Sequence, residues 1–201
     1  MNYGTFERRL RQEGHRLLAG IDEAGRGPLA GPVVAAACIL SEGAWWDGIQ
    51  DSKALSPAER KDLFWVIASH ALVGVGTASE EEIDRLNILK ASLLAMQRAV
   101  LALSATPDLL LIDGPYPIDL PIHQAPVIRG DEQLVSVGAA SIVAKVVRDE
   151  MMAVYDLQYP RYGFREHKGY PTKAHLAALE EHGPSPIHRM SFRPVQRLVV
   201  G

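Results

Sequence analysis

The chain of 201 residues is 47% hydrophobic and 22% charged, with one cysteine and a formal net charge of −3. That composition supplies a sizeable core and excludes a chain disordered throughout. The lone Cys38 excludes an intramolecular disulfide and a cysteine-built zinc cage, and the acidic balance excludes nucleic-acid binding by bulk charge.

The N-terminal stretch around Phe6–Glu13 is charged and lacks the apolar segment of a secretory signal. No run approaches the length needed to span a bilayer, so a cytoplasmic protein is expected. The apolar run Leu17-Leu18-Ala19-Gly20-Ile21 predicts a strand over 17–22. It ends in Asp22-Glu23 and a glycine-rich turn, Ala24-Gly25-Arg26-Gly27-Pro28. A second strand follows over 32–40, with Cys38 inside it as an inert core thiol.

Ser56-Pro57-Ala58-Glu59 reads as an N-cap, a proline at the first helical position and an acidic first turn, opening a helix toward His70. A short strand is expected over 71–78. Ser79-Glu80-Glu81-Glu82 starts another helix, continued at helical spacing by Leu86, Leu89, Leu93, Met96 and Val100. Next come a strand over 108–113, again ending in an acid (Asp113-Gly114-Pro115), a proline-broken loop over 114–126, and a short apolar run at Val127-Ile128. A long helix is predicted from about Leu134 to Leu157. Beyond Tyr159-Pro160 the chain is rich in Pro, Gly and His, with a helical piece around Thr172–Glu181. Strands interleaved with helices predict an α/β fold.

Charge is unevenly spread. Residues 161–197 hold seven Lys or Arg against three acids, a net +4, which leaves −7 for the rest. Four of the seven histidines, His167, His175, His182 and His188, lie there too. A basic stripe opposite an acidic site suits a phosphodiester; a solvated helix face with a basic tail reads equally well.

Acids placed where buried strands surface can hold hard divalent cations through oxygen. Two cations bridged by carboxylates acidify an attacking water and neutralise a leaving oxygen. Asp22, Glu23 and Asp113 are so placed, and Asp131 occupies the turn Arg129-Gly130-Asp131-Glu132 before the long helix. Taken singly, Asp22 and Asp113 would also serve as turn caps, and Asp131 as a helix N-cap. Neighbouring strand residues point to opposite faces, so joint use of Asp22 and Glu23 predicts that the chain leaves regular strand geometry there. Gly25-Arg26-Gly27 is either a tight inter-strand turn or a stretch of bare backbone suited to a ribose 2′-hydroxyl.

The run Gly20-Ile21-Asp22-Glu23-Ala24-Gly25-Arg26-Gly27-Pro28-Leu29-Ala30-Gly31-Pro32 closely resembles the signature of bacterial ribonuclease HII, the type 2 ribonucleases H. The resemblance continues through Asp51-Ser52-Lys53, Asp84-Arg85-Leu86-Asn87, Ile112-Asp113-Gly114, Gly130-Asp131, Ala139-Ala140-Ser141-Ile142-Val143-Ala144-Lys145, Arg148-Asp149, Tyr162-Gly163-Phe164, His167-Lys168-Gly169-Tyr170-Pro171-Thr172 and His188-Arg189.

The resemblance implies a ribonuclease H-like mixed five-stranded sheet flanked by helices, with a catalytic domain over 1–158 and a small helical, substrate-binding extension over 159–201. It implies hydrolysis of the RNA strand of RNA–DNA hybrids and incision 5′ of single ribonucleotides in duplex DNA. It also implies a monomer using two Mn²⁺ or Mg²⁺ ions. The family's metal carboxylates map onto Asp22, Glu23, Asp113 and Asp131, its ribose-sensing motif onto Gly25, Arg26 and Gly27, and its sugar-packing tyrosine onto Tyr170. Lys53, Lys145, Arg148 and Lys168 are the expected phosphate contacts. Asp149, four residues after Lys145, reads as a helical ion-pair partner and not as the fourth metal acid. Departures are small: Arg129 stands where lysine is commoner, and Val137-Gly138 replaces a more usual apolar-alanine pair.

Overall fold

The computed structural model describes residues 5–41, 49 and 55–200. Among them lie five strands: β1 (Leu18–Ala24), β2 (Val33–Leu40), β3 (Ala71–Ala78), β4 (Leu109–Asp113) and β5 (Gln124–Val127). The helices are α1 (Thr5–Gln12), α2 (Pro57–His70), α3 (Glu80–Leu86), α4 (Ile88–Leu101), α5 (Val135–Gln158), α6 (Phe164–His167), α7 (Lys173–His182) and α8 (Arg193–Val200), with a 3₁₀ turn at Gly130–Glu132.

The strands form one mixed sheet in the order β3-β2-β1-β4-β5. β1–β2 and β2–β3 pair antiparallel, while β1–β4 and β4–β5 pair parallel. The central strands read as continuous apolar runs because both faces are covered. Ala19, Ile21, Val33, Ala35 and Ala37 pack with Ala91, Ala95 and Ala99 of α4. Ala36, Cys38 and Leu40 pack with Ala139, Ala140 and Val143 of α5 and Ile67 of α2. Gly20 lets α5 approach β1 closely, since a Cβ there would lie 2.1 Å from the Ser136 carbonyl carbon. Burial pushes the Cys38 thiol pKa upward, as expected of an inert core thiol.

Local signals in the sequence are realised. Ser56 and Ser79 each form a capping box, with Glu59 and Glu82, and Thr172 caps α7. The structure differs from the sequence reading in several elements. The single helix expected after Ser79 is broken at Asn87, which takes φ 75° and ψ 164°, outside the helical region, and whose side chain accepts from the Lys90 N–H to cap α4. The expected loop over 114–126 contains most of β5, a four-residue edge strand with Pro126 in it, where proline is tolerated and no apolar run marks it. α1 and α8, eight residues each, form where the sequence reading assigns no helix. Among the described residues no helix is long and apolar enough to cross a membrane.

Candidate active site

β1 and β4 run parallel and in register through Ile21↔Ile112, so the next residue of each, Asp22 and Asp113, brings a carboxylate to the same sheet end. The strand does not turn aside at Asp22 as expected. Its ladder with β2 persists through Ala24↔Val34, while that with β4 stops at Ile21. The β4 side of β1 is therefore open where Asp22 and Glu23 stand.

Asp22 is 6% exposed and Asp131 4%. The Gly130 N–H donates to Asp113 Oδ1 at 2.7 Å, which fastens the 3₁₀ turn bearing Asp131 to the end of β4. Arg129 enters that turn left-handed and pairs with Glu132. The Glu23 N–H donates to Asp22 Oδ1 at 2.7 Å, and Ser141 of α5 adds a side-chain hydrogen bond to Asp22.

Burial, then the charges of Glu23 and Asp113, hold the Asp22 carboxyl well above the usual range. Burial also raises Glu23, which Asp113 pushes further up and Arg26 pulls down. The Arg26 guanidinium is 3.5 Å from Glu23. As they stand, no three His, Cys, Asp or Glu side chains among the described residues form a closed ligand group. The donor set is nonetheless all carboxylate, partly buried and self-repelling, which is the electrostatic setting a hard divalent cation relieves.

A cleft of about 420 Å³ opens beside these acids, lined by Glu23, Gly25, Arg26, Gly27, Arg60, Ser141, Lys145 and Tyr170 among others. The Tyr170 ring borders Gly27, where a Cβ would sit 3.5 Å from its Cε1, and the residue remains 41% exposed. The Leu29 N–H donates to the Gly169 carbonyl at 2.8 Å, tying the two segments together.

The expected basic contacts divide. Lys145 lines the cleft and pairs with Asp149 at 2.6 Å, the i,i+4 partnership expected. Lys168 lies outside the cleft lining; its charge acts on Glu150 of α5. Arg148 is not placed to touch phosphate. It is 1% exposed, and its guanidinium donates to the carbonyls of Ala30 (3.1 Å), Pro32 (3.1 Å) and Lys168 (3.0 Å), holding the turn after β1 from behind. Gly25, at φ +99°, is needed there because a Cβ would meet Arg148 Nε at 2.1 Å. Lys53 lies outside the described residues.

Three residues of the site escape residue-by-residue reading. Ser141 sits in a small-residue helix run and gives no chemical signal. Arg60 reads as a helix-surface charge, yet lines the cleft while donating to the Leu55 carbonyl at 2.8 Å. Arg189, fully buried, sits in the basic C-terminal stretch and looks like one more solvated cation.

A family model for ribonuclease HII matches residues 19–195. Ribonuclease HII of Geobacter sulfurreducens is 56% identical over 192 residues, covering 95% of this chain and 88% of its own. Among solved structures, the ribonuclease H2 of Pyrococcus horikoshii OT3 superposes with a TM-score of 0.75 at 25% identity, over 90% of this chain and 96% of that one. Bst-RNase HIII, solved in complex with Mn²⁺, gives 0.70 at 20% identity over 94% and 71%, a likeness of fold. Strand-end acids at the β1/β4 edge, a glycine-arginine-glycine turn beside them and relatives of this identity over nearly the whole length lead to one assignment: the chain belongs to the ribonuclease HII family.

Proposed function

We propose that this protein is a divalent-metal-dependent endonuclease that hydrolyses the RNA strand of RNA–DNA hybrids and incises 5′ of single ribonucleotides in duplex DNA, leaving a 5′-phosphate. The observation that carries this reading is the joint placement of Asp22, Glu23 and Asp113 at one strand edge with the Gly25-Arg26-Gly27 turn and Tyr170 along the adjoining cleft.

Asp22, Glu23, Asp113 and Asp131 are the residues that would hold two Mg²⁺ or Mn²⁺ ions. Such ions, when bound, supply an acidified water and neutralise charge on the leaving oxygen. Ser141 orients the Asp22 carboxylate, and the Gly130 amide orients that of Asp113. Gly25 and Gly27 keep side chains off the turn so that backbone groups can meet the 2′-hydroxyl, the group that separates RNA from DNA. Tyr170 packs on the neighbouring sugar. Lys145 and Arg60 supply positive charge along the cleft, positioning a backbone without reading its sequence. Residues 159–201 serve as the substrate-binding extension of the catalytic unit 1–158, in one cytoplasmic chain acting as a monomer.

The test uses three duplexes: an RNA–DNA hybrid, a DNA duplex with one ribonucleotide, and an all-DNA duplex, each with and without Mg²⁺. Metal-dependent cleavage of the first two alone is expected. Cleavage of the all-DNA duplex would favour a recombination nuclease or transposase, which also grips metals with strand-end acids. Asp113→Asn keeps the side-chain shape and removes the charge; it should abolish cleavage with the fold intact. Near-native rates in Mg²⁺ would remove Asp113 from the ligands.

A further inference from the structure

We propose that His188 and Arg189 are positioning residues that set the Gly25-Arg26-Gly27 turn and Tyr170 in register with each other, each acting through backbone oxygens and neither touching substrate. This rests on the reading that the turn and Tyr170 meet the sugar.

The dipeptide is stitched to the turn by main chain. Ala30 and His188 form an isolated antiparallel bridge, the Gly31 N–H donates to the Ile187 carbonyl (2.9 Å), and the Arg189 N–H donates to that of Leu29 (2.8 Å). From this bridge the two side chains diverge. The Arg189 guanidinium is fully buried and fans onto four carbonyls: Gly25 (2.6 Å), Arg26 (3.2 Å), Pro28 (2.7 Å) and Gly31 (2.9 and 2.7 Å). In a trans peptide the C=O and the following N–H point in opposite directions, and the described chain has no cis bonds. Gathering the Gly25 and Arg26 carbonyls inward therefore turns the Arg26 and Gly27 N–H groups outward. Neither N–H has a partner among the described residues, and both residues line the cleft. Arg189 thus presents two donors at the place where a 2′-hydroxyl would be read. Lysine, a point charge on a flexible stem, cannot reproduce that planar fan.

His188 reaches the other element. The Ser185 N–H donates to His188 Nδ1 at 2.9 Å, so that nitrogen accepts and the ring proton sits on Nε2. His188 Nε2–H then donates to His175 Nε2 at 3.0 Å, which leaves the His175 proton on Nδ1, donated to the Tyr170 carbonyl at 2.9 Å. Backbone groups at both ends fix one tautomer for each ring and require both to be neutral. The relay ends on the residue whose ring borders Gly27, so one dipeptide holds both partners of the proposed sugar contact.

The test combines a mutant cycle with histidine NMR. His188→Asn keeps an acceptor for the Ser185 N–H and cannot reach His175. On a duplex with one ribonucleotide, it should lower kcat/KM about tenfold in the native background and less than about twofold beside Tyr170→Ala, since residues acting in series are non-additive. Arg189→Lys should lower kcat/KM at least about tenfold. In both variants Mn²⁺ affinity by calorimetry should stay within about twofold of native, because neither residue touches the acids; general unfolding would lower both. Ring ¹⁵N shifts of the native protein should report His175 as the Nδ1–H tautomer and His188 as Nε2–H. The opposite tautomers, a full loss from His188→Asn that persists beside Tyr170→Ala, or native rates in both single variants overturn the proposal. Failure of the underlying sugar reading is separate and shows in Tyr170→Ala alone, as unchanged incision.

Discussion

Tyr170 combines two environments in one residue: its carbonyl is held by His175 and by the Thr172 N–H, while its ring stands half-exposed at the cleft. A ring so anchored can pack on a deoxyribose 3′ of the scissile ribonucleotide, where a 2′-hydroxyl would crowd its face. Tyr170→Ala should therefore impair incision at a single embedded ribonucleotide more than cleavage within a long hybrid. Loss of the packing is worth on the order of 1–3 kcal/mol by analogy with aromatic–base stacking, roughly 5- to 150-fold in rate. Parallel rate measurements on the two substrates decide it, and equal losses would reduce Tyr170 to general support of the site. At this scale the acids were legible, since Asp22, Glu23 and Asp113 interrupt apolar runs. Arg148 and Arg189 were not, because a buried arginine that collects carbonyls and a surface arginine that meets phosphate are the same letter. Only burial of 1% or less tells them apart.

Between elements, the feature with the largest consequence is the start of α5. This 24-residue helix carries Ser141, Lys145 and Arg148, yet its own N-cap, Leu134, offers no side-chain acceptor. Glu7 of α1 supplies one from more than a hundred residues away. Its carboxylate, 7% exposed, accepts from the Val135 N–H (2.9 Å) and the Ser136 N–H (3.0 Å) at the positive end of the helix dipole. Glu7→Gln keeps one acceptor and loses the charge, and should cost about 1–2 kcal/mol. For a chain of this size that is a fall of roughly 2–8 °C in thermal midpoint, checked by calorimetry with native Mg²⁺-dependent rates as the control. An unchanged midpoint would mean that the contact adds nothing beyond solvation. Sequence could not supply this pairing: an eight-residue charged segment announces neither a helix nor a distant partner. The capping boxes at Ser56 and Ser79 were readable because cap and partner lie three residues apart. β5 was missed for lack of an apolar run, and the break at Asn87 because helical spacing of leucines continues across it.

Across the whole molecule, strand order and the mixture of parallel and antiparallel pairs follow from the family likeness and not from any local pattern, because pairing between distant runs leaves no trace in either run alone. The fastening of residues 159–201 onto the sheet is likewise a long-range matter. It rests on Met152, Phe164 and Ile187 around Ala30, on Asp84 accepting from the Met190 and Ser191 N–H groups, and on the neutral histidines. Burial, then the proximity of His175, lowers the His188 pKa from 6.5 to about 4, and burial lowers that of His175. His167 stacks on His175 at 4.3 Å and adds to the lowering of both. A base whose folded pKa is depressed stabilises the fold above its unfolded value, and that contribution is lost as pH falls toward the folded value. Asp22, Glu23 and Glu80, whose pKa values are raised, work in the opposite sense over acid pH, so the total stability curve blends both. A difference isolates the histidine: the thermal midpoint of the native protein minus that of His188→Asn. The gap should be widest above pH 6.5 and should close as pH falls from 6.5 toward 4, where a proton added at His188 Nδ1 faces the Ser185 N–H and costs the native chain stability that the substituted chain, with no imidazole at this position, does not lose. Hydrogen exchange over 162–189 should quicken in the same window in the native protein. A gap that stays constant from pH 7.5 to 4 would mean that the pair does not titrate there and that the C-terminal segment is held by its apolar contacts and arginines alone.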